Sequence, residues 1–223
     1  MTLAEQFHPH TFVDAFRFMG DHTGLLLSKA GEQVELSAVA LGIALVLALP
    51  LGLWLGHLHR GLFLAAGVAN LGRALPSLVL IAFGLTVLGI GFWNNTLALV
   101  VLAAPPILTN AYFAIDGIDR DAVEAARGMG MTGRQVLVRV ELPLGLPLVL
   151  AGVRIAAIFV IATATIAAIA GGGGLGDIIV NQATYGLSGV IAASLWVAFL
   201  AFLAALTISV VRRAASPRRI PVP

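Results

Sequence analysis

Cysteine is absent from this chain of 223 residues, which excludes a disulfide framework and a thiolate metal site. Lysine is nearly absent too: Lys29 stands alone against twelve arginines. A phosphate-cradling G-x4-G-K-[ST] loop needs its lysine between a glycine and a hydroxyl residue. Lys29 has Ser28 before it and Ala30 after it, so no nucleotide-hydrolysing loop of that kind is present. Charge of either sign is scarce, at 11% of residues, where soluble domains run at about 25%. Apolar side chains fill the space, at 59% of the chain with a mean hydropathy of +0.99. One water-soluble core cannot hide so much apolar surface, and the composition points to an all-α polytopic membrane protein. The basic pI near 9.7 then reads as arginine in cytoplasmic loops rather than as nucleic-acid binding.

A spanning helix needs about 20 mostly apolar residues. Five stretches qualify: 34–56, 74–91 (with a possible earlier start in "GLFLAAGVANLG"), 96–115, 144–170 and 189–211. Arginine distribution orients them. Basic residues occupy the loop with His57, His59 and Arg60, the loop with Arg120, Arg127, Arg134 and Arg139, and the tail with Arg212, Arg213, Arg218 and Arg219. The stretch 89–95 and the loop 171–188 hold no Arg or Lys. The basic segments are expected in the cytoplasm, which puts the C-terminus inside and the N-terminus outside, with Arg17 and Lys29 as mild dissent. The first 30 residues carry His8, His10, Asp14, Arg17, Asp21 and His22 and lack the charged-then-apolar order of a signal peptide. Residues 11–30 read either as an amphipathic helix on the outer interface or as a partly ordered tail.

One polar island breaks the apolar pattern. Nine of the chain's charged residues lie between Asp116 and Glu141. Asp121 with Glu124, and Thr132 with Gln135, have capping-box spacing. Gly128 and Gly130 separate two short helices, Pro143 is expected to end the second, and Val136 with Val140 gives it an apolar stripe. The island is thus either a helical loop packed on its own protein or a docking piece. Ala125, Ala126, Gly128 and Gly130 would admit another backbone closely, and Met129 and Met131 suit a partner's apolar groove.

Glu124-Ala125-Ala126, Gly130 and Val140-Glu141-Leu142-Pro143 match E-A-A-x3-G-x9-I-x-L-P in all but the Ile, which is Val here. This resembles the EAA loop of permease subunits of bacterial ABC importers, and the likeness extends over roughly residues 34–211. "RALPSLVLIAFGL", "LAAPPILTNAYFAIDGIDRDAVEAARGMGMT", "RVELPLGLPLVLAGVRIA" and "GGGGLGDII" look like permeases for osmoprotectants such as glycine betaine, choline and carnitine. Methionine-importer permeases share the plan and stand second. The resemblance implies a type I ABC importer permease fold, with five core transmembrane helices and a cytoplasmic coupling helix. It divides the chain into an outer segment 1–33, a permease domain 34–211 with coupling loop 116–143, and a basic tail 212–223. It implies two ABC ATPase subunits docking on the loop at Glu124, Ala125, Ala126, Gly128, Met129, Gly130, Met131, Leu142 and Pro143. It also implies a second permease copy, an extracytoplasmic substrate-binding protein and the lipid bilayer as partners. No cofactor or metal is expected in this chain; ATP-Mg would sit on the separate ATPase.

Other sites divide between two readings. Arg73 and Arg154 lie in or beside apolar spans. A charge there costs about 2.5–3.5 kcal/mol, so each either lines the pathway or snorkels to the inner face. Pro76, and the pair Pro105 and Pro106 with Thr109 and Asn110, form either a hinge and polar pathway wall or a static kink. Gly171, Gly173 and Gly176 match G-x-G-x-x-G, but no acidic residue follows Asp177, and the dinucleotide reading needs one about 20 positions on. Gly171, Gly172, Gly173, Gly174 and Gly176 instead suit a bend at the outer end of the fourth span, with Asp177 capping 178–185. His57 and His59, without a third ligand, read as solvated. An intramembrane enzyme would need catalytic residues deep in the spans, and Cys, His and carboxylates are missing there. An ion channel or structural scaffold would leave the capped island unexplained. Trp54, Trp93, Trp196, Tyr112 and Tyr185 are few for an ammonium cage, which assigns solute selectivity to the delivery protein.

Overall fold

The computed structural model describes residues 11–74 and 76–215; of Leu64 and residues 71–74 it describes the backbone alone. Residues 1–10 and 216–223, with Arg218 and Arg219 of the expected tail, lie outside the described residues, as does the side chain of Arg73. No strand occurs among the described residues. In order along the chain, α1 is Thr11–Asp21, α2 Thr23–His57, α3 Leu62–Ala74, α4 Ser77–Leu88 and α5 Phe92–Asp116. The island supplies α6, Arg120–Gly128, and α7, Gly133–Val136. A π-turn, Leu137–Glu141, leads into α8, Leu142–Ala167. A 3-10 turn, Ala168–Ala170, precedes the short α9, Gly176–Val180, and then α10, Gln182–Ala215.

Among the described residues, four helical stretches are long and apolar enough to cross a membrane: Thr23–His57, Phe92–Asp116, Gly133–Ala170 and Gln182–Ala215. The expected second span is in two pieces, α3 and the 12-residue α4. Pro76 stands between them with extended ψ of 126°; proline has no N–H to donate, and its ring does not fit against the preceding helical turn. The first span also begins earlier than expected, at Thr23 rather than 34, since no breaker separates it from residues 23–33. A Gly186 with φ 66° and ψ 177° interrupts the last helix near its start.

The chain divides into two compact units. One comprises Met1–Leu41, Pro76–Val100 and Ile158–Leu203. Its core gathers Leu26, Ala30, Leu175, Ile178 and Ala193, flanked by Met19, Tyr185 and Trp196. The other comprises Gly42–Leu75, Val101–Ala157 and Ala204–Pro223. There, small residues let helices touch by their backbones, the usual device of membrane helix packing. A Cβ on Gly52 would stand 2.6 Å from the Leu108 carbonyl, and one on Gly56 2.7 Å from that of Tyr112. On another side of α5, a Cβ on Gly145 would meet the Ala114 carbonyl at 2.7 Å, and one on Gly152 the Pro106 carbonyl at 2.7 Å. Buried Ile107, Tyr112 and Ile115 fill the space between. By contrast, α10 exposes Phe199, Phe202, Leu206 and Val210. Such a surface belongs in lipid or against protein.

Candidate functional site

The island folds as two capped helical pieces. Thr132 and Gln135 form the expected capping box: Thr132 Oγ1 accepts from Gln135 N–H, while the Thr132 N–H donates to Gln135 Oε1 at 2.8 Å. The first piece starts differently. Asp119, not Asp121, is the cap: its Oδ1 accepts from Asp121 N–H at 3.0 Å. Asp121 falls within the first turn, where its charge suits the positive helix end. Gly130 turns the chain between the pieces at φ 83°, a region costly for any residue with a Cβ. A small core of Val123, Ala126 and Val136, with Ile118, Met131 and Val140 packed on it, fixes the two pieces to each other.

That core redistributes the expected docking residues. Glu124, Ala125, Gly128, Met129 and Gly130 are exposed, Met129 to 72%. Ala126 is buried and Met131 half-buried in the island's own core. Leu142 is half-buried and Pro143 exposed. Pro143 does not end the second helix. Residues Gly133–Ala170 run on as one helical stretch. The π-turn is the physical reason: Leu142 N–H bonds the Leu137 carbonyl, five residues back. The register shift lets the chain pass a residue without an N–H, and π-turns of this kind recur at functional sites. The island therefore leads directly into a membrane-length helix.

Two contacts were not legible in the sequence. His57 Nδ1–H donates to Glu141 Oε2 at 2.6 Å, and Glu141 is 1% exposed with its Oε1 unpartnered. His59 Nδ1 and Asp116 Oδ1 stand 2.9 Å apart at the surface. The expectation of a solvated His57 is thus corrected, while His59 is exposed; the end of α2 and the loop after it are tied to both ends of the island. The available signal was the arginine pattern, which grouped these two loops together.

The glycine bend lies in the other unit. Glu32 Oε2 accepts from Gly174 N–H at 2.8 Å, and Gln33 Oε1 accepts from Leu175 N–H at 3.2 Å. Gln33 Nε2 donates to the Ile161 carbonyl at 2.8 Å. Lys29 Nζ bridges Glu32 at 2.9 Å and Asp177 at 2.7 Å. Asp177 therefore does not cap the following helix as expected; its carboxylate is held by Lys29, and the residue before α9 is Leu175. Gly173 and Gly174 have φ of 70° and 78°. Cβ atoms there would meet Glu32 Oε2 at 2.6 Å and Gln33 Oε1 at 2.5 Å. Gly171 also turns at positive φ, and Gly172 and Gly176 sit close against the Ala167 and Thr165 carbonyls.

The proline pair is mid-helix in α5. Buried Thr109 donates Oγ1–H to the Pro105 carbonyl at 2.7 Å, and Asn110 donates to the Pro106 carbonyl at 2.8 Å. Both polar side chains thus serve their own helix, and Asn110 also packs on Gly152. Arg154 is exposed and donates to Ser209 Oγ at 3.3 Å. It lies about three turns, or roughly 16 Å, beyond Pro143 along α8. Of the aromatic residues, Tyr112 is buried, Trp196 packs on its unit's core, and Trp54 and Trp93 are exposed.

The description "binding-protein-dependent transport system inner membrane component" matches residues 35–220. The chain belongs to this family. A glycine betaine/carnitine/choline transport system permease protein of Bacillus subtilis is 35% identical over 202 residues, covering 90% of this chain and 93% of that one. A carnitine transport permease protein of Listeria monocytogenes is 41% identical, covering 66% of this chain and 67% of that one. An osmoprotectant import permease protein of Salmonella typhimurium is 34% identical, covering 86% and 92%. Among solved structures, an inward-facing methionine ABC transporter superposes with a TM-score of 0.74 at 24% identity, over 88% of this permease and 99% of that chain. The fold is accordingly that of a type I ABC importer permease, and the chain is a transport component of the membrane rather than an enzyme.

Proposed function

We propose that this permease forms the translocation path of an ATP-driven importer for a quaternary-amine osmoprotectant such as glycine betaine, choline or carnitine. Its likeness across 90% of its length to a glycine betaine/carnitine/choline permease carries the solute class. The exposed Glu124, Ala125, Gly128, Met129 and Gly130 on a capped, internally packed island support the docking of an ATPase there. ATP-Mg sits on that separate polypeptide, and closure of two ATPase subunits draws two such islands together. A soluble binding protein delivers solute from outside and sets selectivity. The island faces the cytoplasm, as does the C-terminus, and the pair α3–α4 completes a fifth crossing.

The exposed faces support a second permease copy. Arg154 and Ser209 lie on apolar helices, and an arginine facing lipid costs about 2.5–3.5 kcal/mol or more. That face is therefore covered by protein or by pathway water, which a two-fold pair supplies. Pro105, Pro106, Thr109 and Asn110 act as a kink in the path wall. Gly171, Gly172, Gly173, Gly174, Gly176 and Asp177 shape the outer mouth. A methionine-type solute is the second reading, and only the shared fold favours it.

Uptake of radiolabelled choline, glycine betaine and methionine by the complex in proteoliposomes tests the solute class. Choline or betaine should accumulate with ATP while methionine does not; accumulation of methionine alone would reverse the assignment. Gly130→Asp places a charge on the docking face and should lower both ATPase capture and uptake more than tenfold, about 1.4 kcal/mol.

A further inference from the structure

Building on the docking reading above, we infer that His57 is a positioning residue for energy coupling, acting through Glu141 to carry movement of the island into the end of α2. Glu141 is the one charged residue among the buried, described side chains. It has a single hydrogen-bond partner, His57 Nδ1 at 2.6 Å, and its Oε1 has none. A buried carboxylate that loses its partner is strongly disfavoured, so the two side chains must move as one. Glu141 closes the π-turn, the point where the island's backbone changes register before it becomes α8. The same imidazole also faces the start of the second island piece: a Cβ on Gly133 would stand 3.3 Å from His57 Nε2. One ring thus touches both ends of the segment 133–141.

The other side of the joint is equally tight. Gly56, the residue before His57, lies against α5 so closely that a Cβ would be 2.7 Å from the Tyr112 carbonyl. The last turn of α2 is thus packed backbone to backbone on α5, so a pull on Glu141 reaches both helix ends. His59 with Asp116 is a second tie at the other end of the island, but its side chains are 34% and 31% exposed. Exposed pairs contribute little, and the buried tie is the one that transmits.

The readout is solute moved per ATP hydrolysed, in proteoliposomes holding the permease with its ATPase and binding protein and supplied with radiolabelled choline. This ratio does not depend on how much complex folds. His57→Ala should lower it about tenfold, a coupling change of ordinary size, while the ATPase still binds and still hydrolyses. His57→Asn, whose amide can donate to the same oxygen, should recover most of the ratio. Should His57→Ala fail to assemble, the double variant His57→Leu, Glu141→Leu removes the buried charge; it should assemble and remain uncoupled. An unchanged ratio in His57→Ala, or full coupling in the double variant, overturns the inference. Gly130→Asp separates the two readings: retained ATPase capture there counts against the docking surface, whereas a normal ratio in His57→Ala counts against the joint alone.

Discussion

At the glycine bend, Glu32 and Gln33 turn their oxygens onto the backbone N–H groups of Gly174 and Leu175, and Lys29 ties two carboxylates together. In the island, Glu124, Gly128, Met129 and Gly130 remain exposed, and Glu141 keeps one oxygen idle. Both regions are short polar interruptions of an apolar chain. One directs its polar groups inward to hold an irregular backbone that would otherwise leave N–H groups unsatisfied. The other holds itself with caps and a three-residue core, and leaves its remaining residues exposed. Polar residues in an oily protein therefore separate into those that satisfy the chain and those left at its surface.

Substitution can break that comparison. The largest effect is expected at Gln33, which is 1% exposed and serves the Leu175 N–H and the Ile161 carbonyl at once. Gln33→Leu orphans the Leu175 N–H and strips a second donor from the Ile161 carbonyl, and should cost about 3 kcal/mol, read as a lower melting temperature in detergent with uptake falling only in step with folded protein. Gly174→Ala comes next. It forces a Cβ into left-handed backbone, about 1–2 kcal/mol, and against Gln33 Oε1 at 2.5 Å, so melting should again fall while ATP use per solute holds. Equal stability in that variant would show the clasp to be slack. The finest contrast is between two methionines. Met131→Ala should lose about 1 kcal/mol of stability from the island's core. Met129→Ala, at 72% exposure, should change stability by less than about 0.5 kcal/mol yet weaken ATPase capture about fivefold. If the two variants behaved alike, the division between internal core and docking face would fail.

Local signals read well. The Thr132–Gln135 capping box, the turn at Gly130 and the Val136–Val140 stripe each depend on residues within one or two turns of each other. The cap of α6 was misplaced by two residues, because Asp119 and Asp121 are chemically equivalent and only the backbone decides which one turns its oxygen onto a free N–H. Pro143 was misread for a related reason: a proline breaks a regular helix, but not one whose preceding turn has already shifted register. The count of five crossings rested on hydropathy, the arginine pattern and the family likeness. The stretch around Pro76 is apolar enough for a span, but its helices are short.

Hydropathy, arginine placement and the Glu124-to-Pro143 pattern were enough, from sequence alone, to read a helical membrane permease with a capped polar loop. Those features are written in composition and short spacings, which need no fold to be read. Only the tertiary structure decided the partners of His57, Lys29 and Gln33, which lie 84, 148 and 128 residues away. Such pairings depend on how helices pack side by side. In the unit that holds His57, the close backbone contacts of Gly52, Gly56, Gly145 and Gly152 accompany that packing, and no local pattern encodes it.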